Sequence, residues 1–256
     1  MCTIEAPRAR RKSPTASDAQ RNEALAQQQQ KLRDPSLKAK LVEIGSRKYT
    51  GPRIVGAEPR PPEWDYVFPM ADMREGAPSM ATLAREKGVN PVELMIDMAL
   101  ERDFKMFFRQ PIANENQDHV LEMMKHPRSV VTFSDSGAHV AQIMDSSLQT
   151  HLLSYWVREK QALSLEEAVR QITYNTATLW GLHDRGLLRT GMAADVVIFD
   201  PDTVGAGYPE IVADLPAGAK RLKQTANGML STIVNGEVLL SNNIHSGALP
   251  GRLLRC

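Results

Sequence analysis

The chemistry this sequence could carry gathers at Ser134-Asp135-Ser136-Gly137-Ala138-His139. Asp135 follows Val130 to Phe133, a short apolar β-branched run that reads as a strand, halted by a turn-prone Ser/Asp/Ser/Gly stretch. A carboxylate at the C-terminal tip of a strand, in a chain that alternates helix and strand, sits where such folds keep their acid–base groups. The same acid can instead cap the turn that follows, and spacing alone leaves both roles open. His139 lies four residues further on. A lone Asp-x-x-x-His does not make a zinc site, because zinc takes three or four protein ligands. The six histidines, His119, His126, His139, His151, His183 and His245, contain no His-x-His and no His-Glu-x-x-His pair. Cys2 and Cys256 have no histidine nearby, which leaves neither a catalytic thiolate nor a thiolate zinc knuckle. A G-x-S-x-G elbow, a G-x-x-x-x-G-K-[ST] phosphate loop and a G-x-G-x-x-G turn are all absent from the sequence.

The elements that must hold these residues alternate along the chain. Asp34-Pro35 opens a short amphipathic helix through Leu37, Leu41, Val42 and Ile44. Residues 50–69, with Pro61-Pro62 among several prolines, read as an extended surface loop. A helix starts at Ser79 and breaks at Gly88; the next has Asn90 as its cap and Pro91 at its first position. Phe104 to Arg109 reads as a buried strand, and residues 114–125, 141–160 and 164–180 as helices. The last of these opens with a capping box, Ser164 with Glu167. After Gly181 the pattern turns to β: Asp195 to Asp200 is a strand between turn formers, and Thr232 to Leu240 a hairpin about Asn235-Gly236. Residues 1–31, with the basic cluster Arg8, Arg10, Arg11 and Lys12 and the run Gln27 to Gln30, carry too little apolar surface to offset their ordering entropy, and are expected to form a disordered tail.

Composition narrows the partners. The 256 residues hold 31 Lys+Arg against 30 Asp+Glu, a net charge of +1, so no general attraction to nucleic acid or anionic lipid is expected. Aromatic residues, at 5%, are too few for a base-stacking platform. No apolar run approaches the roughly 18 residues that a membrane span needs, and no signal-peptide core follows the basic start. A cytoplasmic protein acting on a small molecule is the expectation.

A wider set of motifs points to a family. Gly186-Leu-Leu-Arg-Thr-Gly191-Met-Ala-Ala194-Asp195-Val-Val-Ile-Phe-Asp200 resembles the closing signature of the amidohydrolase superfamily, where a strand leaves the barrel for a small β-sandwich. Thr173-x-Asn175-x-Ala177 resembles that superfamily's last barrel helix, and Ser134 to His139 the segment bearing its strand-eight aspartate. Leu215-Pro-Ala-Gly-Ala, Val234-Asn-Gly-Glu237 and Gly247-Ala-Leu-Pro-Gly-Arg252 are similar to the N-acyl-D-amino-acid deacylase, or D-aminoacylase-like, branch. The joint likeness runs over residues 32–255.

The resemblance implies an α/β fold: the C-terminal part of a (β/α)8 metal-dependent hydrolase barrel over residues 32–185, then β-sandwich strands and a tail over 186–256. It implies hydrolysis of the amide bond of N-acyl amino acids with zinc or a similar divalent ion, which activates the attacking water. Asp135 matches the aspartate that touches the metal and carries the water's proton to the leaving amine; His139 is a candidate substrate contact. The remaining metal ligands of the family, an H-x-H among them, have no counterpart in this sequence. A whole barrel takes about 250 residues, more than lie before Asp135, so an incomplete barrel, inactive alone, is expected. Its open sheet edge would favour self-association. The alternative is a non-catalytic remnant or fragmentary gene model, acting at most as an interaction module.

Overall fold

The computed structural model describes residues 2–4, 18–47, 62–71, 76–111, 113–139, 142–144 and 146–254. In chain order they form β1 (Cys2–Ile4), α1 (Asp18–Leu32), α2 (Pro35–Gly45), β2 (Phe68–Met70), α3 (Met80–Lys87), α4 (Pro91–Glu101), β3 (Phe107–Gln110), α5 (Gln117–Lys125) and β4 (Ser136–His139). Then come α6 (Leu148–His151), a π-helical stretch Leu152–Glu159, α7 (Leu165–Arg170), a second π stretch Gln171–Asn175, α8 (Thr176–Leu179) and β5 (Val196–Phe199). The remainder is β: β6 (Gly205–Ala206), β7 (Glu210–Leu215), β8 (Ala219–Lys223), β9 (Ala226–Asn227), β10 (Met229–Val234), β11 (Glu237–Ser241) and β12 (Ile244–His245). Among the described residues, no helix is long and apolar enough to cross a membrane.

The chain divides into two compact units, residues 1–115 with 213–221, and residues 116–212 with 222–256. The sequence places its boundary instead at 185/186. The difference has a packing cause. Val204, Phe199 and Met229, from the β-rich end, pack with Leu152, Leu153, Tyr155, Trp156 and Ala168 in one core, so helix and strand segments on either side of residue 185 cannot part.

In the first unit, β3 lies between β1 and β2 and pairs antiparallel with both. Its core joins Val67, Phe108, Met80, Ala84, Leu94 and Met95. The local signals act as expected: the Ser79 hydroxyl accepts from Thr82 N, Asn90 Oδ1 accepts from Val92 N, and Gly88 closes α3 in the left-handed region. Two expectations fail here. Residues 18–31, read as disordered, wind into α1, because Ala, Gln, Glu and Leu dominate the segment and no Gly, Pro or β-branched residue interrupts it. Gln29 Nε2 then donates to Asp103 Oδ1 at 3.3 Å. The basic cluster at 8–12 lies outside the described residues. Phe68–Met70, read as loop, forms β2: Pro69 sits on an edge strand, where a missing N–H is tolerated. Residues 48–61 of that loop lie outside the described residues.

The second unit carries a four-stranded sheet in the order β12-β11-β10-β5, antiparallel throughout. The Asn235-Gly236 turn, both residues at positive φ, joins β10 to β11 as the sequence predicts. The registers of β1/β3, β2/β3, β6/β9 and this sheet are all antiparallel, whereas consecutive barrel strands would be parallel. Parallel neighbours need a crossover and a flanking strand.

Three carboxylates anchor turns and helix starts through hydrogen bonds that favour their charged forms. Hydrogen bonds hold each below the usual carboxylate range: Asp34 by the Ser36 hydroxyl and then Ser36 N, Glu167 by Ser164 N and then its hydroxyl, and Asp200 by Asp202 N and then the Thr203 hydroxyl. A depressed folded pKa stabilises above the unfolded value, and that contribution is lost as pH falls through the folded one. The melting temperature should therefore fall below about pH 4. A combined Asp34→Asn, Glu167→Gln, Asp200→Asn variant should show a shallower acid limb in thermal melts; an equally steep one would contradict the assignment.

Candidate active site

The residues singled out for chemistry all belong to the second unit. Residues 129–135 form no strand, contrary to the reading of Val130 to Phe133; the ladder geometry begins only at Ser136. The cause is local. The Val131 carbonyl, which a strand would give to a neighbour, lies 2.6 Å from Thr176 Oγ1, and Phe133 stands 77% exposed. Asp135 consequently precedes β4 instead of following a strand's C-terminal end. It is exposed, in a turn where Ser136 N donates to Ser134 Oγ at 3.2 Å. The backbone of His139 ends β4, and its side chain lies outside the described residues.

The helix motif and the closing signature meet. The Gly186 Cα–H direction, at φ +82°, points at Ala177 and the Tyr174 backbone: a Cβ there would lie 3.0 Å from Ala177 Cβ and from Tyr174 Cα. This close approach gives the signature glycine its reason. From Gly186 the chain runs to Asp195, whose carboxylate pairs with the Arg185 guanidinium and accepts from Asn235 N at 2.8 Å. Gly236 N donates to the Ala194 carbonyl, and Asn235 Nδ2 to that of Pro250. Asp195 thus ties the start of β5 to the β10–β11 turn.

Thr176 and Asn235 make long-range contacts that sequence reasoning did not anticipate. Thr176 lies inside the Thr173-x-Asn175-x-Ala177 motif at an unmarked position, and its hydroxyl reaches Val131, four residues before Asp135. Asn235 was read as a turn former only.

Among the described residues, no three His, Cys, Asp or Glu side chains come together as a metal-binding group. The described donor set does not fit the divalent centre that the resemblance implies.

The amidohydrolase family profile matches residues 68–240, well over half of the chain. The chain belongs to the amidohydrolase family. Among curated relatives, this chain is 28% identical over 191 residues to the N-acyl-D-aspartate deacylase of Alcaligenes xylosoxydans xylosoxydans, covering 74% of this chain and 32% of that protein. It is 39% identical over 106 residues to the N-acyl-D-glutamate deacylase of the same organism, covering 41% and 20%. Against the D-aminoacylase of that organism the figures are 35% over 103 residues, 40% and 19%. The amidohydrolase chain thus spans no more than about a third of the length of these relatives. A crystal structure of D-aminoacylase superposes with a TM-score of 0.42 at 22% identity, covering 67% of this chain and 33% of that one.

Proposed function

We propose that this amidohydrolase chain supplies the C-terminal third of a metal-dependent N-acyl-amino-acid deacylase, hydrolysing the amide C–N bond of a small N-acylated amino acid in the cytoplasm. The observation that carries the reading is the 39% identity to an N-acyl-D-glutamate deacylase, alongside a family match whose span includes Asp135. Asp135 is the proton carrier: its carboxylate takes a proton from the attacking water and returns it to the amine as the C–N bond breaks. His139 contacts the substrate. The reading makes Asp135 one ligand of the zinc or similar divalent ion and assigns the remaining ligands to barrel strands outside this chain.

The test is complementation. The chain alone, supplied with zinc, should bind no stoichiometric ion and should not hydrolyse N-acetyl-D-glutamate, N-acetyl-D-aspartate or N-acetyl-D-leucine. Co-expressed with the N-terminal two-thirds of a deacylase relative, it should give turnover. Turnover by the chain alone would disprove the division of labour. Failure of every complementing segment would favour the second reading, a non-catalytic interaction module.

A further inference from the structure

Two side chains of one helical run reach out of it to the segment that leads into Asp135. The run is α7, the second π stretch Gln171–Asn175 and α8, continuous from Leu165 to Leu179. At the start of the π stretch, Gln171 Nε2 donates to the Met124 carbonyl at 3.3 Å. Just past its end, Thr176 Oγ1 donates to the Val131 carbonyl at 2.6 Å. The two carbonyls bracket residues 124–131. Before the first of them α5 is fixed by packing, since Val120, Leu121 and Met124 lie against the core of the second unit, where Val169 and Ile172 also pack. Beyond the second, Asp135 is only four residues on.

Thr176 behaves unlike its neighbour Thr173. The Thr173 hydroxyl turns back on the Val169 carbonyl, four residues earlier, at 2.7 Å, the ordinary habit of a helical threonine. The Thr176 hydroxyl also lies 2.9 Å from the Gln171 carbonyl, five residues earlier, but it has a single proton, and the contact at 2.6 Å with Val131 is the shorter. Each residue of an α-helix advances about 100° around the axis, so the wider π turn re-aims the side chains that follow it. Such turns are rare, and they often lie at functional sites.

We propose, resting on the reading of Asp135 as the proton carrier, that Thr176 is a positioning residue for it. The Thr176 hydroxyl does for residues 130–135 what a neighbouring strand would otherwise do, and so limits where the acid can stand. Four residues span at most about 14 Å, and Asp135 itself lies within the turn in which Ser136 N donates to Ser134 Oγ. A group that must meet a proton in one geometry gains in rate from being held near it.

Nitrogen-15 relaxation on the full chain tests the tether. Residues 131–135 should show backbone order parameters of about 0.85, the value of fixed backbone. Thr176→Val, which keeps the shape and removes the hydroxyl, should drop them below about 0.6, and Thr176→Ser should restore them. Thr178→Val, at an exposed position on the same helix, should change nothing. Values below about 0.6 in the unaltered chain, unchanged values in Thr176→Val, or a serine variant that behaves like valine would each overturn the inference, and the first of these needs no variant to fold. In the complemented deacylase, Thr176→Val should lower kcat at least about tenfold with KM within about twofold, and Thr176→Ser should recover most of the loss. A loosened segment with kcat unchanged would overturn the inference as well. No turnover from the unaltered complemented chain would remove the deacylase reading instead, and the relaxation data would still decide whether Thr176 fixes this segment.

Discussion

Asp135→Asn should cost the complemented deacylase about 10²- to 10⁴-fold in kcat, the range that a general base contributes, while leaving the fold intact. Asparagine keeps the size of the side chain and removes the lone-pair basicity needed to accept the water's proton. Asp135 is exposed, so the substitution should move the melting temperature less than the loss of a half-buried carboxylate would. Asp195→Asn is the contrasting variant. Its carboxylate holds Arg185 and Asn235 N, and the amide that replaces it would loosen the join between β5 and the β10–β11 turn. That variant should lose thermal stability, on the order of 1–3 kcal/mol for a charge-assisted hydrogen bond, with kcat nearly unchanged at temperatures where it stays folded. Equal activity loss in both variants at unchanged melting temperature would remove Asp135 from its assigned role.

The largest stability effect is expected at Gly228. Its φ of +67° lies in the left-handed region, and a Cβ built there would stand 2.4 Å from Val204 N and 2.7 Å from both Thr203 C and Val204 Cα. These are backbone atoms and cannot swing aside. Val204 is buried in the core of the second unit, and its carbonyl is gripped by Arg158 Nη1 at 2.7 Å. The Gly228 carbonyl accepts from Asp200 N at 2.9 Å, so the turn is fixed from both sides. Left-handed strain of about 1–2 kcal/mol and overpacking of about 1–3 kcal/mol add to a sizeable share of a typical domain's stability. Gly228→Ala should lower the melting temperature by more than about 5 °C. Gly181→Ala isolates the strain: its φ is +70° but no atom lies within 4 Å of the added Cβ, so a markedly smaller shift is expected. Equal shifts in the two would mean that the Val204 contact carries none of the effect.

Helix starts were legible because their signals are local. Asn90-Pro91, Ser79 and the Ser164/Glu167 box each place a side-chain acceptor on nearby backbone N–H groups, and no distant partner is involved. The Asn235-Gly236 hairpin was legible for the same reason. The Val130 to Phe133 strand was not, because a strand exists only where a neighbour takes its hydrogen bonds, and here a threonine hydroxyl on a distant helix takes the Val131 carbonyl. Composition misjudged residues 18–31: low hydrophobicity argued for disorder, but helix propensity needs no apolar face to act. For the candidate site, Asp135 and His139 came from a motif, whereas Thr176 and Asn235 act through contacts 45 and 40 residues away in sequence, which no local pattern encodes.

The β10–β11 turn also bears on how the molecule ages. Asn-Gly is the dipeptide whose side-chain amide most readily cyclises onto the following backbone nitrogen, expelling ammonia and leaving aspartate or isoaspartate. In the folded chain both nitrogens of that reaction are occupied: Asn235 Nδ2 by the Pro250 carbonyl at 2.7 Å, and Gly236 N by that of Ala194 at 2.9 Å. Cyclisation would have to break both of these hydrogen bonds. Isoaspartate should therefore build up at Asn235 far more slowly in the native chain than in urea, and the interval between the two rates measures how long this hairpin keeps its original covalent structure.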